Sequence, residues 1–189
     1  MDYNFIMNQS NKKYLLLAVL VFLMALTRNS HSLTSLNFPD ATFAIFFIGG
    51  HSFKNIRWFS FLLLLSTLID ATSSLISPSM NLWQNISYFG MMLAYGAMWL
   101  GGFISAKNKP SIYFLTASII SAAIAFVIST QTYNLLSGTF PDITIKESIQ
   151  TGWEYLPQSF IYTMSYLLVY WGIQSLFKRQ FVSQKAAPL

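Results

Sequence analysis

The chain has no cysteine in its 189 residues. Disulfides and thiolate metal sites are therefore excluded. Charge is nearly as scarce: Asp, Glu, Lys and Arg together make up 9% of the residues, against roughly 25% in an average soluble domain. So few charges cannot cover a water-facing surface, which excludes soluble globular, disordered and coiled-coil chains. The common catalytic signatures are missing as well. There is no Gly-x-Ser-x-Gly elbow, no His-Glu-x-x-His pair and no Gly-rich phosphate loop, so no enzyme or nucleotide-driven motor is legible by those routes. No charged ring or filter sequence marks an ion channel. Internal repeats and long linkers are absent, and nothing points to nucleic acid.

Apolar sequence fills the space left by these absences. Hydrophobic residues make up 54% of the chain, and the mean hydropathy is +0.49. This composition reads as an integral membrane protein with one domain, long enough for about six helices of ~20 residues. Six apolar runs are found, at 14–28, 41–53, 58–76, 86–104, 111–135 and 156–177. The first reads as a helix and not a signal segment, because no small-residue cleavage site follows it and further runs do. Each run reads as α-helix, since a segment in lipid must satisfy its own backbone hydrogen bonds. The longest polar stretch, Ser137 to Tyr155, reads as an outer loop.

Charge placement orients the runs. With the N-terminus in the cytoplasm, nine of the eleven basic residues face inward: Lys12, Lys13, Lys54, Arg57, Lys107, Lys109, Lys178, Arg179 and Lys185. Arg28 and Lys146 face outward. Asp40, Asp70, Asp142, Glu147 and Glu154 lie outside or within a span. This asymmetry favours six spans with both termini inside.

Few residues are equipped for chemistry. Asp70 is the acidic residue deep in an apolar run, where a charge is expensive and needs a partner or a cavity. It reads either as a helix-end carboxylate bonded to Thr72 or a neighbouring span, or as part of a ligand site. His31 sits in the first outer loop and is either a solvated polar residue or a ligand or metal contact. His51, at the cytoplasmic end of its helix, reads as structural. The uncharged outer loop from Ser77 to Asn85 holds Met80, Asn81, Trp83, Gln84 and Asn85, followed by Tyr88. Amides, an indole and a thioether suit a neutral hydrogen-bonding ligand, although aromatic residues also favour this depth as a plain interfacial belt. Gly90, Ala94, Ala97 and Gly101 form a small-residue face, as do Ser118, Ala122 and Ala125. Such faces serve either helix packing within the chain or docking of another membrane protein.

Several segments carry a family resemblance: Ala25-Leu26-Thr27-Arg28, His31, Leu36-Asn37-Phe38-Pro39-Asp40-Ala41 and Ala44 to Gly50. It continues through Arg57-Trp58, Ile69-Asp70, Tyr88, Ala94-Tyr95-Gly96-Ala97-Met98-Trp99-Leu100 and Tyr155-Leu156-Pro157. Together they resemble BtuM-type cobalamin transporters, which are solitary relatives of the substrate-binding S-components of energy-coupling factor vitamin transporters. The resemblance implies a six-helix, S-component-like bundle that binds cobalamin at its outer face and moves it inward. It places Asp70 and Tyr88 near the corrinoid and matches His31 to a histidine of the first outer loop; the uncharged loop adds Met80 and Trp83 as ligand-binding candidates. It also implies a loop cysteine that ligates cobalt and removes the upper axial cyanide, at or near Trp83. With no cysteine, that ligation and decyanation cannot occur in this chain: either cobalamin binds without a protein thiolate, or His31 supplies a nitrogen ligand to cobalt, or the substrate differs. No resident cofactor is implied; cobalamin enters as the transported ligand. Family members that need an energy-coupling module dock it through small residues on the first helix, a pattern that Phe22, four residues after Ala18, interrupts here. Transport of another vitamin and a non-transporting scaffold role remain the alternatives.

Overall fold

The computed structural model describes residues 9–28, 38–76, 86–107 and 111–186. Among these residues the chain is all-helical, with six helices and no strand. They are α1 (Gln9–Arg28), α2 (Thr42–Phe53), α3 (Ile56–Ile76), α4 (Ser87–Ser105), α5 (Ser111–Leu136) and α6 (Ile145–Ala186).

The short α2 is the centre of the bundle. Its 12 residues span only about 18 Å, but it touches all five other helices. Ala44 to Gly50 are buried without interruption, as expected of a helix that is apolar on every side. α2 packs most extensively against α4, through a pair of glycines. A Cβ on Gly102 would lie 2.8 Å from the His51 nitrogen and closer still to the Phe47 carbonyl oxygen. A Cβ on Gly50 would meet the backbone of Trp99 and Phe103. Around this crossing Phe46 stacks on Tyr95, with centroids 4.5 Å apart, and Phe47 meets Phe114 edge-on at 5.3 Å.

The helices alternate in direction. At one end Tyr14 meets Trp58, His51 meets Ser105, and Lys54 reaches the Ala106 carbonyl. At the other, Arg28 reaches Asp70 and Thr42. The outer surfaces are apolar. α4 exposes Phe89, Leu93, Leu100 and Ile104 on one face and buries Ala94, Tyr95, Met98 and Trp99 on the opposite one. α3, over Ile56–Leu75, and α5 are long and apolar enough to cross a membrane, and only 17% and 33% of their apolar windows are buried.

α6 differs from the sequence expectation. It begins at Ile145, so much of the stretch read as an outer loop is helix, and Tyr155-Leu156-Pro157 lie inside it. Thr144 and Glu147 start it with a capping box: the Glu147 carboxylate accepts from the Thr144 N–H (2.9 Å) and hydroxyl (2.7 Å), and the Glu147 N–H donates to the Thr144 hydroxyl oxygen (3.3 Å). A capping box satisfies donors that a helix start otherwise leaves open. Those bonds hold the Glu147 carboxyl below the usual glutamate range. A carboxyl with a depressed pKa contributes above its unfolded pKa, and the contribution is lost as pH falls through the folded value. Amides at the start of α6 are therefore expected to exchange faster at acid pH, after correction for intrinsic rates. Thr144→Ala should produce the same loss at neutral pH, and unchanged protection in that variant would contradict this account of the cap.

Candidate functional site: the outer polar cluster

Arg28 closes α1 and turns its guanidinium into the bundle. Its Nε and Nη2 donate to the two oxygens of Asp70, each at 2.6 Å. Nη1 donates to the Thr42 hydroxyl at 3.0 Å and to the Tyr95 hydroxyl at 2.7 Å, and Nη2 also faces the Met91 sulfur at 3.7 Å. All five guanidinium N–H groups thus have acceptors. The Tyr88 hydroxyl donates to Asp70 Oδ2 at 2.8 Å. The Thr42 hydroxyl donates to Asp40 Oδ1 at 2.5 Å, and the same oxygen accepts the Thr42 backbone N–H at 2.9 Å. The Tyr166 hydroxyl reaches back from α6 to the Pro39 carbonyl at 2.8 Å.

The ion pair is buried, with the Arg28 and Asp70 side chains 5% and 10% exposed. Among the described residues no buried side-chain nitrogen or oxygen lacks a partner. In this geometry the guanidinium has no donor left over, while the Asp70 carboxylate accepts one bond on Oδ1 and two on Oδ2. The cluster joins α1, α2, α3 and α4 at one end of the bundle.

Of the residues singled out from the sequence, Asp70 and Tyr88 come together here. Asp70 takes its bonds from Arg28 and Tyr88; the Thr72 hydroxyl goes instead to the Ile69 carbonyl, at 2.8 Å. His31, Met80 and Trp83 lie outside the described residues. His51 is 2.8 Å from the Ser105 hydroxyl at the opposite end and meets Phe114 edge-on, far from this cluster. The small-residue faces are used inside the chain. Gly90 lies against Thr132 and Gly101 against Ser121, both on α5, while Ser118, Ala122 and Ala125 are buried. The face that could have docked a partner is thus covered by α5.

Arg28, Thr42 and Tyr95 were not anticipated as members of the site. The available signal for Arg28 was its position, because only it and Lys146 were assigned to the same side as the end of the apolar run that holds Asp70.

A second feature at this end is an apolar cavity of about 370 Å³ between α5 and α6, lined by residues including Phe126, Val127, Leu135, Ile149 and Trp153. Gln131, which also lines it, is tied to α6: the Ser148 hydroxyl donates to the Gln131 carbonyl oxygen at 2.7 Å, and the Asn134 amide donates to the Ser148 carbonyl at 3.2 Å.

No family model matches the chain, and no curated protein matches it significantly.

Proposed function

We propose that the chain is a six-span protein of a bacterial inner membrane, with both termini in the cytoplasm, and that it takes up cobalamin or a related corrinoid from its outer face. The membrane reading is supported by the uncharged surface. α4 and α5 contain no charged residue, and α6 has none between Glu154 and Lys178, while their exposed faces carry large aliphatic side chains. In lipid such faces cost nothing, whereas in water they would form one continuous apolar patch.

One observation carries the functional reading. The segments that resemble the BtuM-type family are scattered in sequence yet converge in space. Thr27 and Arg28 share one stretch of that resemblance, and Asp40, Asp70, Tyr88 and Tyr95 belong to four others. All but Thr27 meet in the outer polar cluster, and Thr27 accepts the Ala41 N–H beside it at 3.2 Å. In this reading the cluster is the floor of the corrinoid site. Asp70 and Tyr88 position that floor, and contacts from above come from His31, Met80 and Trp83. His31 is the proposed cobalt ligand in place of a thiolate. Movement inward follows from rearrangement of the outer segments or reorientation of the bundle. Energy comes from a coupling partner or a ligand gradient, and the chain itself performs no chemistry on the vitamin.

Uptake of labelled cobalamin by cells with and without the protein tests this reading. Faster uptake with the protein, suppressed by unlabelled cobalamin and not by other vitamins, is the expected result. Suppression by a different vitamin would reassign the substrate, and equal uptake in both strains would remove the transport reading.

A further inference from the structure

The end of the bundle opposite the polar cluster carries a different kind of surface. Lys54 ends α2 in the left-handed conformation, with φ 56°. Glycine is the usual occupant of such a position, because any Cβ is disfavoured there. Its ammonium reaches the Ala106 carbonyl at 3.3 Å, which brings the α2–α3 turn against the end of α4. Lys107 follows directly, with Nζ 4.7 Å from the Phe103 ring centroid. On the other side of the turn the Asn55 side chain accepts the Arg57 N–H at 3.0 Å and leaves the Arg57 side chain exposed. Lys12 and Lys13 begin α1 at the same end. Among the described residues no acid lies there: Asp40, Asp70, Asp142, Glu147 and Glu154 all belong to the outer half.

A simpler explanation is that Lys54 completes the carbonyls at the end of α4, where a cation is favoured. That accounts for one of the three cations. The inward bias of basic residues sets the side on which Arg57 and Lys107 lie, but not their place beside one turn, close in sequence to Lys54 and to the carbonyl it caps. A second, independent feature lies at the same depth. Tyr14 packs edge-on against Trp58, with centroids 6.4 Å apart, and Tyr14 and Tyr113 are 60% and 48% exposed. Exposed Tyr and Trp mark the headgroup level of a bilayer. The cations therefore sit at the level of lipid phosphates.

We propose that Lys54, Arg57 and Lys107 form a binding site for the headgroup of an anionic phospholipid in the cytoplasmic leaflet. The inference rests on the membrane reading above. The phosphodiester bridges the α2–α3 turn and the end of α4, and the acyl chains run down the apolar faces beside them. The retained lysine at a strained position is then explained by its charge.

Native mass spectrometry of the detergent-purified full chain tests this, with phosphatidylglycerol and phosphatidylcholine of matched acyl chains as probes. Preferential retention of phosphatidylglycerol is expected, with the preference falling about fivefold for each lysine removed in Lys54→Gly and Lys107→Gln. Lys54→Gly also relieves the backbone, so lost retention cannot be ascribed to unfolding. Lys146→Gln, at the outer end, should retain the lipid as the unaltered protein does. Equal retention of the two lipids, or an undiminished preference in the double variant, would overturn the inference. Displacement by inorganic phosphate would overturn it too, assigning the site to a free anion. Release of the protein from membranes by alkaline carbonate would instead overturn the membrane reading on which it rests.

Discussion

Asp70→Ala is expected to lower stability by about 3–5 kcal/mol, because it leaves the Arg28 guanidinium buried without its counter-ion. The penalty comes from the orphaned charge more than from the lost contact. Arg28 keeps only Thr42, Tyr95 and Met91 as partners, none of which is anionic. Tyr88 loses its carboxylate acceptor at the same time. Removing both charges should therefore be milder than removing one. An Arg28→Met, Asp70→Leu double variant is expected to unfold closer to the unaltered protein than Asp70→Ala does, since apolar residues of similar volume often replace a buried pair at little cost. Tyr88→Phe, which removes the hydroxyl bonded to Asp70 and near Thr67, should cost roughly 1.5–3 kcal/mol. Thermal unfolding of the detergent-purified variants measures all three. If Asp70→Ala melts with the unaltered protein, the pair does not hold the outer end together.

The second large effect belongs to the α2–α4 crossing. Gly102→Leu would drive a side chain into the backbone of Phe47 and His51, and Gly50→Leu into that of Trp99 and Phe103. Backbone cannot swing aside as a flexible side chain can. Even Gly102→Ala is expected to cost about 1–3 kcal/mol, the usual range for overpacking, and the leucine variants should fail to yield folded protein. Gly96 and Gly172 provide the contrast, because a Cβ at either meets nothing within 4 Å. Alanine at those positions should leave stability unchanged or raised, since alanine favours a helix more than glycine does. Similar melting of Gly96→Ala and Gly102→Ala would mean that the helices do not cross as closely as described.

The six helices were legible because apolar runs bounded by polar residues carry their own signal, and the small-residue face of α4 announced a close helix contact. The start of α6 was not read. The stretch from 137 to 155 is polar on average, and averaging hid two local cues. Thr144-Ile145-Lys146-Glu147 is a capping box, and Ile145, Ile149, Gly152 and Leu156 recur at helical spacing on the face that meets α5. The site was half legible. Asp70 stood out because a carboxylate in an apolar run demands a partner, but the identity of that partner did not follow. Arg28 closes its run and was counted with the outer charges, while its long side chain turns back into the bundle. Thr42 and Tyr95 look like ordinary helix residues, and only the three-dimensional packing places them within reach of the guanidinium.

The same geometry separates two roles that single substitutions can confuse. Asp70 holds the floor of the proposed site, so its loss should weaken ligand retention and stability together. His31 and Trp83 are proposed to face the ligand, so their loss should weaken retention alone. The direct measurement is an absorbance spectrum of the purified protein after incubation with cobalamin and removal of free ligand. The account predicts retained corrinoid bands, shifted if His31 ligates cobalt, and weakened in His31→Ala without a change in melting temperature. A folded, monodisperse sample that retains no colour would contradict the corrinoid reading.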